Sequence, residues 1–429
     1  MKRCLWWVAL LCLAAGAQAE PDEELLGKLQ NYPIGNVNTW YQNPNRVGSW
    51  SDQRSVPGIR TRKVSPPASA SPLLPAANGP AVSAAIAYRY RGSSYTLAQY
   101  LERQRATGLL ILKNGEIVAE HYRYGRTPDA RFLSFSMAKS VTSLLIGIAL
   151  EQGFIKSIDD TAETYDKSLV GSPYGATTVR QLLRMSSGLV FTERYDGNDD
   201  ISRLSRASAG ASSAGRPVDV LRSVSERHAP AGSKFVYASA ETAVLGRVLS
   251  NATQKNLAEL TTDWLWKPMG AENDAFWRIS IDGQEQTQGG FSASLRDWGR
   301  LGLLLAKDGR VDGKAGRQAG AQAVVQVLPR EYLLDATDPA RQPQAFKPRS
   351  ATPYFGYGYQ FWLMPFKERT FAMQGIHGQT LYVQPATGVV MVLTSVWEQA
   401  SGRQDVLPYQ ERDALWRGVL RALGGDVTE

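Results

Sequence analysis

The sequence predicts an α/β fold in which an antiparallel sheet is flanked by helices and carries an inserted, mostly helical domain at roughly 160–295. In "GLLILKNGEIVAEHYRYG", two apolar runs flank Asn114-Gly115, the strongest short signal for a β-hairpin. Strand-like runs return near the end of the chain as "YGYQFWL", "TFAMQGIHGQTLYVQP" and "GVVMVLTSVW". Because the segment between these regions is rich in short helical patterns, strands from both ends are expected to form one sheet.

A central helix is expected after the hairpin, in "FLSFSMAKSVTSLLIGIALEQG", which runs from Phe132 to Gly153. Its apolar residues cover most of the helix circumference, and Gly153 follows as a C-terminal cap. A helix that is apolar nearly all round is typical of a central, buried position. A second, amphipathic helix is predicted near the end of the chain in "ERDALWRGVLRALGG".

The first 19 residues have the pattern of a secretory signal. Met1–Arg3 is basic, residues 5–16 are mostly apolar, and Ala17–Ala19 has the A-x-A form of a cleavage site. The apolar run is too short to span a membrane, so the mature protein is expected in the periplasm or outside the cell without a membrane segment. Both cysteines, Cys4 and Cys12, lie in the signal, so the mature chain has no disulfide or thiol chemistry.

Two further segments differ in composition from the rest. Residues 20–85 are rich in Pro, Asn, Ser and Arg and contain Trp40 and Trp50, which predicts an arm that docks through its aromatic rings, followed by a linker. The stretch "SRLSRASAGASSAGRP" at 202–217 predicts a mobile surface loop, with a lid over a cleft as the alternative.

Composition and charge exclude one class of function. The chain has 429 residues, of which 43% are apolar, and this is enough for a substantial core. Its net charge is +8, but basic and acidic residues are interleaved without a lysine or arginine run. The sequence therefore predicts no nucleic-acid surface.

Ser136 and Lys139 form an S-x-x-K pair at the start of the central helix. Roughly one such tetrapeptide is expected by chance in a chain of this composition, so its surroundings decide its meaning. Residues three apart share a helix face, and burial among apolar neighbours would lower the pKa of Lys139 until it could serve as a base for the serine. Alternatively, Ser136 is a helix N-cap and Lys139 a solvated residue of the first turn.

The rest of the chain supplies further motifs in a fixed order. They are "SMAKS", "TVRQLLRMSSGLVF", "KFVYASAETAVLGRVLS", "LWKPMGAEN", "QGGFSASLRDWGRLGLLL" and "GIHGQTLYVQPATGVVMVLTS". Together they resemble the serine β-lactamase and penicillin-binding-protein superfamily, in its class C-like, esterase branch, over about residues 86 to 425. Within it the chain most resembles 6-aminohexanoate-dimer hydrolases, which also have a tryptophan-containing arm and a Tyr-x-Ser motif, here Tyr237–Ser239.

The resemblance implies a β-lactamase/transpeptidase-like fold, with a hydrolase domain at 86–429, and a role for each motif. Ser136 would be the acylated nucleophile, Lys139 its base, and Tyr237 the phenol that passes the proton to the leaving group. We expect the Lys139 ammonium to lower the pKa of Tyr237 for this purpose. The third motif, a strand triplet that closes the cleft, aligns with Ile376–Gly378, and the N–H groups of Ser136 and Gln379 would form the oxyanion hole.

Two residues depart from the β-lactamase and transpeptidase pattern. Ile376 stands where those branches have lysine, and Ser239 stands where they have asparagine. Without the lysine, a ligand carboxylate beside the reacting group has no cation at this place. The departures count against lactam antibiotics and D-Ala-D-Ala peptides as substrates.

Three further residues near the motifs are candidates for substrate binding. Tyr195, His377 and Gly378 are predicted to contact substrate, although a structural role in orienting the strand is as well supported for His377. The three histidines, which include His121 and His228, show no metal-ligand spacing, so neither a metal nor a cofactor is expected. The chain also lacks the G-x-S-x-G motif of α/β-hydrolases.

The sequence therefore predicts an exported serine hydrolase that cleaves a small-molecule amide or ester through an acyl-enzyme. The alternative within the same fold is a penicillin-recognising β-lactamase or D-Ala-D-Ala carboxypeptidase. The alternative of another class is a catalytically silent binding protein. The intact set of Ser136, Lys139 and Tyr237 favours an enzyme.

Overall fold

The computed structural model of the chain describes residues 20–312 and 324–429, so the predicted export signal lies outside the described residues. The strands are β1 (Thr61–Val64), β2 (Leu74–Pro75), β3 (Ala87–Tyr90), β4 (Ser93–Thr96), β5 (Ala106–Lys113), β6 (Glu116–Tyr122), β7 (Phe132–Leu133), β8 (Ala275–Arg278), β9 (Phe291–Ala293), β10 (Arg310–Asp312), β11 (Val324–Gln326), β12 (Gly356–Tyr357), β13 (Trp362–Leu363), β14 (Phe371–Gln374), β15 (Thr380–Gln384) and β16 (Val389–Ser395).

The α-helices are α1 (Arg46–Ser51), α2 (Gly79–Ala85), α3 (Leu97–Arg103), α4 (Met137–Glu151), α5 (Ala162–Tyr165), α6 (Val179–Leu183), α7 (Asp200–Ser208), α8 (Pro217–Ser223), α9 (Ser239–Thr253), α10 (Leu257–Thr261), α11 (Leu295–Ala306), α12 (Arg330–Thr337) and α13 (Leu407–Ala422). Within the described ranges, no helix is long and apolar enough to cross a membrane.

The main sheet combines strands from the two ends of the chain, as predicted. Its order is β12-β13-β14-β15-β16-β5-β6-β2, and all neighbours are antiparallel except the short edge strand β2. The β5–β6 hairpin turns at Asn114 and Gly115, whose φ angles of 52° and 93° suit the tight turn that an Asn-Gly pair favours. The hairpin prediction is confirmed.

Both faces of this sheet are covered, and β5 is therefore a continuous apolar run rather than an alternating one. Leu110 and Leu112 point into the core shared with α4 and α11. Leu109 and Ile111 point to the opposite face, where Trp416 of α13 contributes to a second cluster. The predicted arrangement of an antiparallel sheet flanked by helices is confirmed.

The central helix α4 is buried over its whole apolar length. Every residue from Met137 to Ala149 is buried, and Gly153 adopts a φ of 73° just beyond the C-terminus, as a capping glycine does. α4 packs against α9, which begins two residues after Tyr237. This packing brings the S-x-x-K and Tyr-x-Ser motifs towards each other.

A smaller sheet leads the chain into α4. It has the order β1-β8-β9-β7, and β7 ends three residues before Ser136. The predicted helical insertion at 160–295 holds α5 to α10, but it also contributes β8 and β9 to this sheet. The segment 20–85, predicted to be an arm followed by a linker, contains both β1, which pairs with β8, and β2, which pairs with β6.

The N-terminal arm packs beside the start of α4. Its aromatic and aliphatic side chains join those of the hydrolase domain in one cluster, which we call the arm cluster. Its buried members are Leu26, Tyr32, Val47, Trp50, Tyr124, Leu133, Phe135 and Val396, and Trp40, Tyr41 and Ile376 pack against it.

The loop prediction for residues 202–217 is wrong for 202–208, which belong to α7, whereas 209–216 form the connection to α8. The connection includes a short 3-10 turn at Ser212–Ala214, and α8 begins at Pro217. Asp199 caps α7 by accepting a hydrogen bond from the Ser202 N–H, while Leu204 and Ala207 are buried on its inner face. The Ser, Ala and Arg content suggested low complexity, but the cap and the inner face were enough to form a helix.

Candidate active site

The chain turns sharply into α4 at Phe135. Its φ of 45° lies in the left-handed region, which is strained for a residue with a bulky side chain. The ring of Phe135 is held by Trp50 and His377, at centroid distances of 4.9 Å and 5.7 Å. Ser136 follows at the N-cap position, half-exposed, and its side chain makes no capping hydrogen bond. Ser136 therefore occupies the N-cap position, as the alternative expected, but its hydroxyl does not cap the helix.

Lys139 is buried, with only 1% of the residue exposed. Its Nζ lies 2.9 Å from Ser136 Oγ and 2.6 Å from the backbone carbonyl oxygen of Gln288. Burial lowers the pKa of Lys139 to about 8, although the Glu193 carboxylate acts in the opposite direction. A neutral amine here can donate to Gln288 and accept the proton of Ser136, so the solvated alternative for Lys139 is wrong.

Tyr237 lies on the other side of the lysine. Lys139 Nζ is 5.2 Å from the centroid of the Tyr237 ring, which stacks on Trp362 at 5.6 Å. Burial first, and then the Glu193 carboxylate, raise the pKa of Tyr237 above its usual value, while the nearby Ser136 hydroxyl lowers it. The expectation of a lowered pKa is contradicted, because burial outweighs any effect of the lysine. A phenol that keeps its proton suits a proton donor.

The third motif is a tight turn between β14 and β15 rather than a strand, which corrects the predicted strand triplet. Gly375 N–H donates to the Gln379 carbonyl at 2.8 Å and closes this turn, which we call the oxyanion loop. A Cβ on Gly375 would lie 2.3 Å from the Ser134 carbonyl oxygen, so the loop packs directly against the chain before Ser136. Among the described residues, nothing accepts a hydrogen bond from the N–H of Ser136 or of Gln379.

Gly378 gives this loop its shape. Its φ is 91°, and a Cβ would lie 2.7 Å from the Trp397 ring, so only glycine fits without displacement. The free N–H of Gln379 follows immediately. The geometry is compatible with an oxyanion hole formed by Ser136 and Gln379, for which two free backbone donors are the first requirement.

His377 does not face the cleft. The residue is 2% exposed, its Nδ1 lies 2.8 Å from the Trp397 carbonyl oxygen, and its Nε2 hydrogen bonds to the Tyr41 hydroxyl. Burial lowers the pKa of His377 to about 3, so the ring is neutral and donates from Nδ1. Both ring nitrogens are occupied, which favours the structural role over the predicted substrate contact.

Glu193 is a site residue that the sequence did not reveal. Its carboxylate accepts hydrogen bonds from the Ser239 N–H and, at 2.9 Å, from the Tyr195 hydroxyl. It also acts electrostatically on Lys139 and Tyr237, raising the pKa of each. The sequence signal was only a single acid in the "SSGLVFTE" stretch, two residues before Tyr195.

Tyr195 lies next to these groups and is half-buried. Its φ is 59°, and its N–H donates to Asp199 Oδ2 at 2.7 Å. Burial and then the Glu193 carboxylate raise the pKa of Tyr195 well above its usual value, with smaller contributions from Tyr237 and Tyr41. The predicted contact of Tyr195 with substrate stays a prediction.

Similar proteins include hydrolases and a homologue of penicillin-binding proteins. Residues 95–415 match the Beta-lactamase family. The 6-aminohexanoate-dimer hydrolase of Paenarthrobacter ureafaciens is 28% identical over 335 residues, which cover 77% of this chain and 80% of that protein. A solved structure from Bacillus anthracis, assigned as a 6-aminohexanoate-dimer hydrolase, has a TM-score of 0.74 at 23% identity and covers 90% of this chain and 97% of its own.

A more distant solved structure has the same fold. The octameric penicillin-binding protein homologue of Pyrococcus abyssi has a TM-score of 0.56 at 15% identity and covers 77% of this chain and 76% of its own. The predicted β-lactamase/transpeptidase-like fold and the resemblance to 6-aminohexanoate-dimer hydrolases are both confirmed. The chain belongs to the beta-lactamase family and is a hydrolase of that fold.

Proposed function

We propose that this protein is an exported serine hydrolase that cleaves an amide bond of a linear, small-molecule substrate through an acyl-enzyme on Ser136. The observation that carries the proposal is the position of Lys139 Nζ, 2.9 Å from Ser136 Oγ and 2.6 Å from the Gln288 carbonyl oxygen. Amides are favoured over esters because relatives with this fold are named as hydrolases of the 6-aminohexanoate dimer. Export rests on the signal pattern of residues 1–19.

Acylation begins with proton transfer from Ser136 to the neutral amine of Lys139. The Gln288 carbonyl orients the amine by accepting one of its hydrogens. Ser136 Oγ then bonds to the substrate carbonyl carbon, and the resulting oxyanion is stabilised by the N–H groups of Ser136 and Gln379. When the C–N bond breaks, Tyr237 donates its proton to the leaving nitrogen and regains one from the Lys139 ammonium.

Deacylation repeats these steps with water in place of Ser136. The water gives a proton to the same proton-transfer unit, its oxygen bonds to the acyl carbon, and the bond between Ser136 Oγ and that carbon breaks with return of the proton to the serine. The high pKa of Tyr237 fits this cycle, because the phenol remains protonated until the leaving group takes its proton.

The proposal is tested with an active-site-directed fluorophosphonate and three substrates. The reagent should label the purified protein and its Ser134→Ala variant but not its Ser136→Ala variant. Ser134 is a suitable control because it is buried two residues away and faces the Phe135 carbonyl. A folded, unlabelled wild type would support a binding protein instead.

The substrates are a chromogenic cephalosporin, a short nitrophenyl ester and an N-acyl-6-aminohexanoate. The proposal requires hydrolysis of the amide by the wild type and its loss in Ser136→Ala. Hydrolysis of the cephalosporin alone would favour the alternative of a penicillin-recognising enzyme, and hydrolysis of the ester alone would make the protein an esterase.

A further inference from the structure

Arg278 is an arginine of the small sheet that lies close to the catalytic groups. It is the last residue of β8, and its N–H donates to the Gly290 carbonyl at 2.7 Å. Gly290 is two residues from Gln288, so the Cα atoms of Gly290 and Gln288 are at most about 7 Å apart. The Gln288 carbonyl in turn accepts a hydrogen bond from Lys139. The β8–β9 connection therefore links Arg278 to the environment of the catalytic lysine.

Aromatic rings connect the Arg278 side chain to the serine from the other side. Its guanidinium carbon lies 4.6 Å from the centroid of the half-exposed Trp40 ring. Trp40 contacts Tyr41 at 5.3 Å, and Tyr41 contacts Phe135, the residue before Ser136, at 6.2 Å. Arg278 thus lies at the edge of the arm, at one end of a row of aromatic contacts that ends at Phe135, next to Ser136.

The Arg278 guanidinium has no anionic partner among the described residues. Within residues 20–312 and 324–429, no carboxylate lies within ion-pair distance of the half-buried Arg278 side chain, no protein oxygen accepts a hydrogen bond from its guanidinium, and its Nε is buried without a partner. Burial lowers the pKa of Arg278 to about 10. Stacking on Trp40 covers one face of the guanidinium, and the buried Nε–H has no acceptor within those residues, so an anion that accepts hydrogen bonds from the guanidinium would be stabilised here.

Arg54, which lies outside the small sheet but stacks on one of its rings, provides the comparison. Its guanidinium lies 4.7 Å from the ring of Phe276, which is two residues before Arg278 on β8. Unlike Arg278, however, Arg54 forms an ion pair with Asp52 at 2.7 Å. Both arginines stack on an aromatic ring, but of the two only Arg54 is already paired with a carboxylate in the described part of the chain.

We propose that the Arg278 guanidinium binds the carboxylate of the substrate, at the side of the cleft lined by Trp40. The inference rests on the proposed function, since it makes the substrate of Ser136 a linear amide with a carboxylate separated from the scissile bond by a flexible chain. Such a carboxylate accepts two parallel hydrogen bonds from a guanidinium, and the apolar spacer packs on Trp40. This recognition differs from that of the lysine-containing relatives, whose cation would stand at Ile376.

Binding to catalytically inactive protein tests this inference separately from turnover. In a Ser136→Ala background, isothermal titration calorimetry measures the affinity for N-hexanoyl-6-aminohexanoate and for N-hexyl-hexanamide, which has no carboxylate. We expect the carboxylate probe to bind roughly ten- to a hundredfold more tightly. In the same background, Arg278→Gln should abolish this preference, so that the two probes bind about equally well. Arg278→Lys should retain part of the preference, and Arg54→Gln should leave it unchanged.

The inference is overturned if the two probes bind equally well before Arg278 is changed, or if the preference survives Arg278→Gln. If Arg278→Gln does not fold, Arg278→Met keeps an apolar stem over Trp40 and must give the same loss. Turnover by the wild type is measured independently. Carboxylate-selective binding without turnover would keep the assignment of Arg278 and reject the proposed function. Turnover without carboxylate selectivity would keep the proposed function and reject the assignment of Arg278.

Discussion

The Tyr41 hydroxyl donates a hydrogen bond to His377 Nε2 and so joins the N-terminal arm to the oxyanion loop. The tyrosine is the donor because the neutral His377 ring carries its single hydrogen on Nδ1, which donates to the Trp397 carbonyl and leaves Nε2 as an acceptor. His377 needs this support because its φ of 58° lies in the left-handed region. The arm thus contacts the residue two positions before Gln379 and helps to fix the direction of its N–H.

Tyr41→Phe removes this hydrogen bond and keeps the ring. We expect kcat to fall about three- to tenfold, as for loss of one hydrogen bond, with KM little changed because the oxyanion forms only in the transition state. Tyr90→Phe is the control, since that hydroxyl binds the Leu407 carbonyl on an exposed part of the molecule. A lower melting temperature with unchanged kcat would assign Tyr41 a purely structural role.

The parts of this arrangement that could be predicted are those encoded in neighbouring residues. The Asn114-Gly115 turn, the apolar circumference of α4 and the spacing of Ser136 and Lys139 are local features, and their consequences hardly depend on the rest of the chain. Family motifs extended this to Tyr237 and Gln379, although they said nothing about distances.

The parts that could not be predicted depend on contacts between distant segments. Glu193 is a single acid in the sequence, and only folding places it against Ser239 and Tyr195. The direction of the Tyr237 pKa shift was misjudged because a nearby cation can be inferred from motifs, whereas the extent of burial cannot. The bonds of His377 likewise depend on an arm residue 336 positions away.

The pH dependence of kcat/KM should report the ionisation of Lys139. Because the lysine must be neutral to accept the Ser136 proton and its pKa is lowered to about 8, we expect kcat/KM to rise with pH and to level off above about pH 8. Glu193→Gln removes a carboxylate that raises this pKa, so the rise should move to lower pH. Asp196→Asn, in the same segment but exposed and paired with Arg194, should leave it in place. A profile that does not respond to Glu193→Gln would mean that another group is being titrated.

Lys139 is expected to reduce stability in return for activity. At pH 7 it is protonated both in the folded protein and in the unfolded chain, where its pKa is about 10.5, so folding buries a cation. Lys139→Met should abolish turnover and increase the free energy of unfolding by about 1 to 3 kcal/mol, an amount that includes the lost contact with Gln288.

The stability gain should have its own pH dependence. It should be full below pH 8 and shrink as the pH approaches 10.5, because the folded-state lysine of the wild type is already neutral over that interval. Denaturant unfolding at several pH values measures this difference, with Lys234→Met as the exposed control. A less stable Lys139→Met variant at pH 7 would show that hydrogen bonding to Gln288 outweighs the burial of charge.

We expect Ile376 to determine whether a carboxylate is recognised next to the reacting carbonyl. The side chain is half-buried against the arm cluster and is three residues before Gln379. Because no cation stands there, cephalosporins, whose carboxylate is close to the lactam carbonyl, should be poorer substrates than a neutral nitrophenyl ester. A lysine at this position could bury its stem where the isoleucine lies and extend its ammonium into the cleft.

The expected effect of Ile376→Lys is a roughly ten- to hundredfold increase in the ratio of kcat/KM for the cephalosporin to that for the ester. Ile376→Met is the matched control, because it fills similar space without a charge and should leave the ratio unchanged. A wild-type ratio above one would contradict the argument and would mean that a cation such as Arg278 already reaches carboxylates beside the scissile bond. An equal ratio in the lysine and methionine variants would instead show that position 376 does not face the substrate.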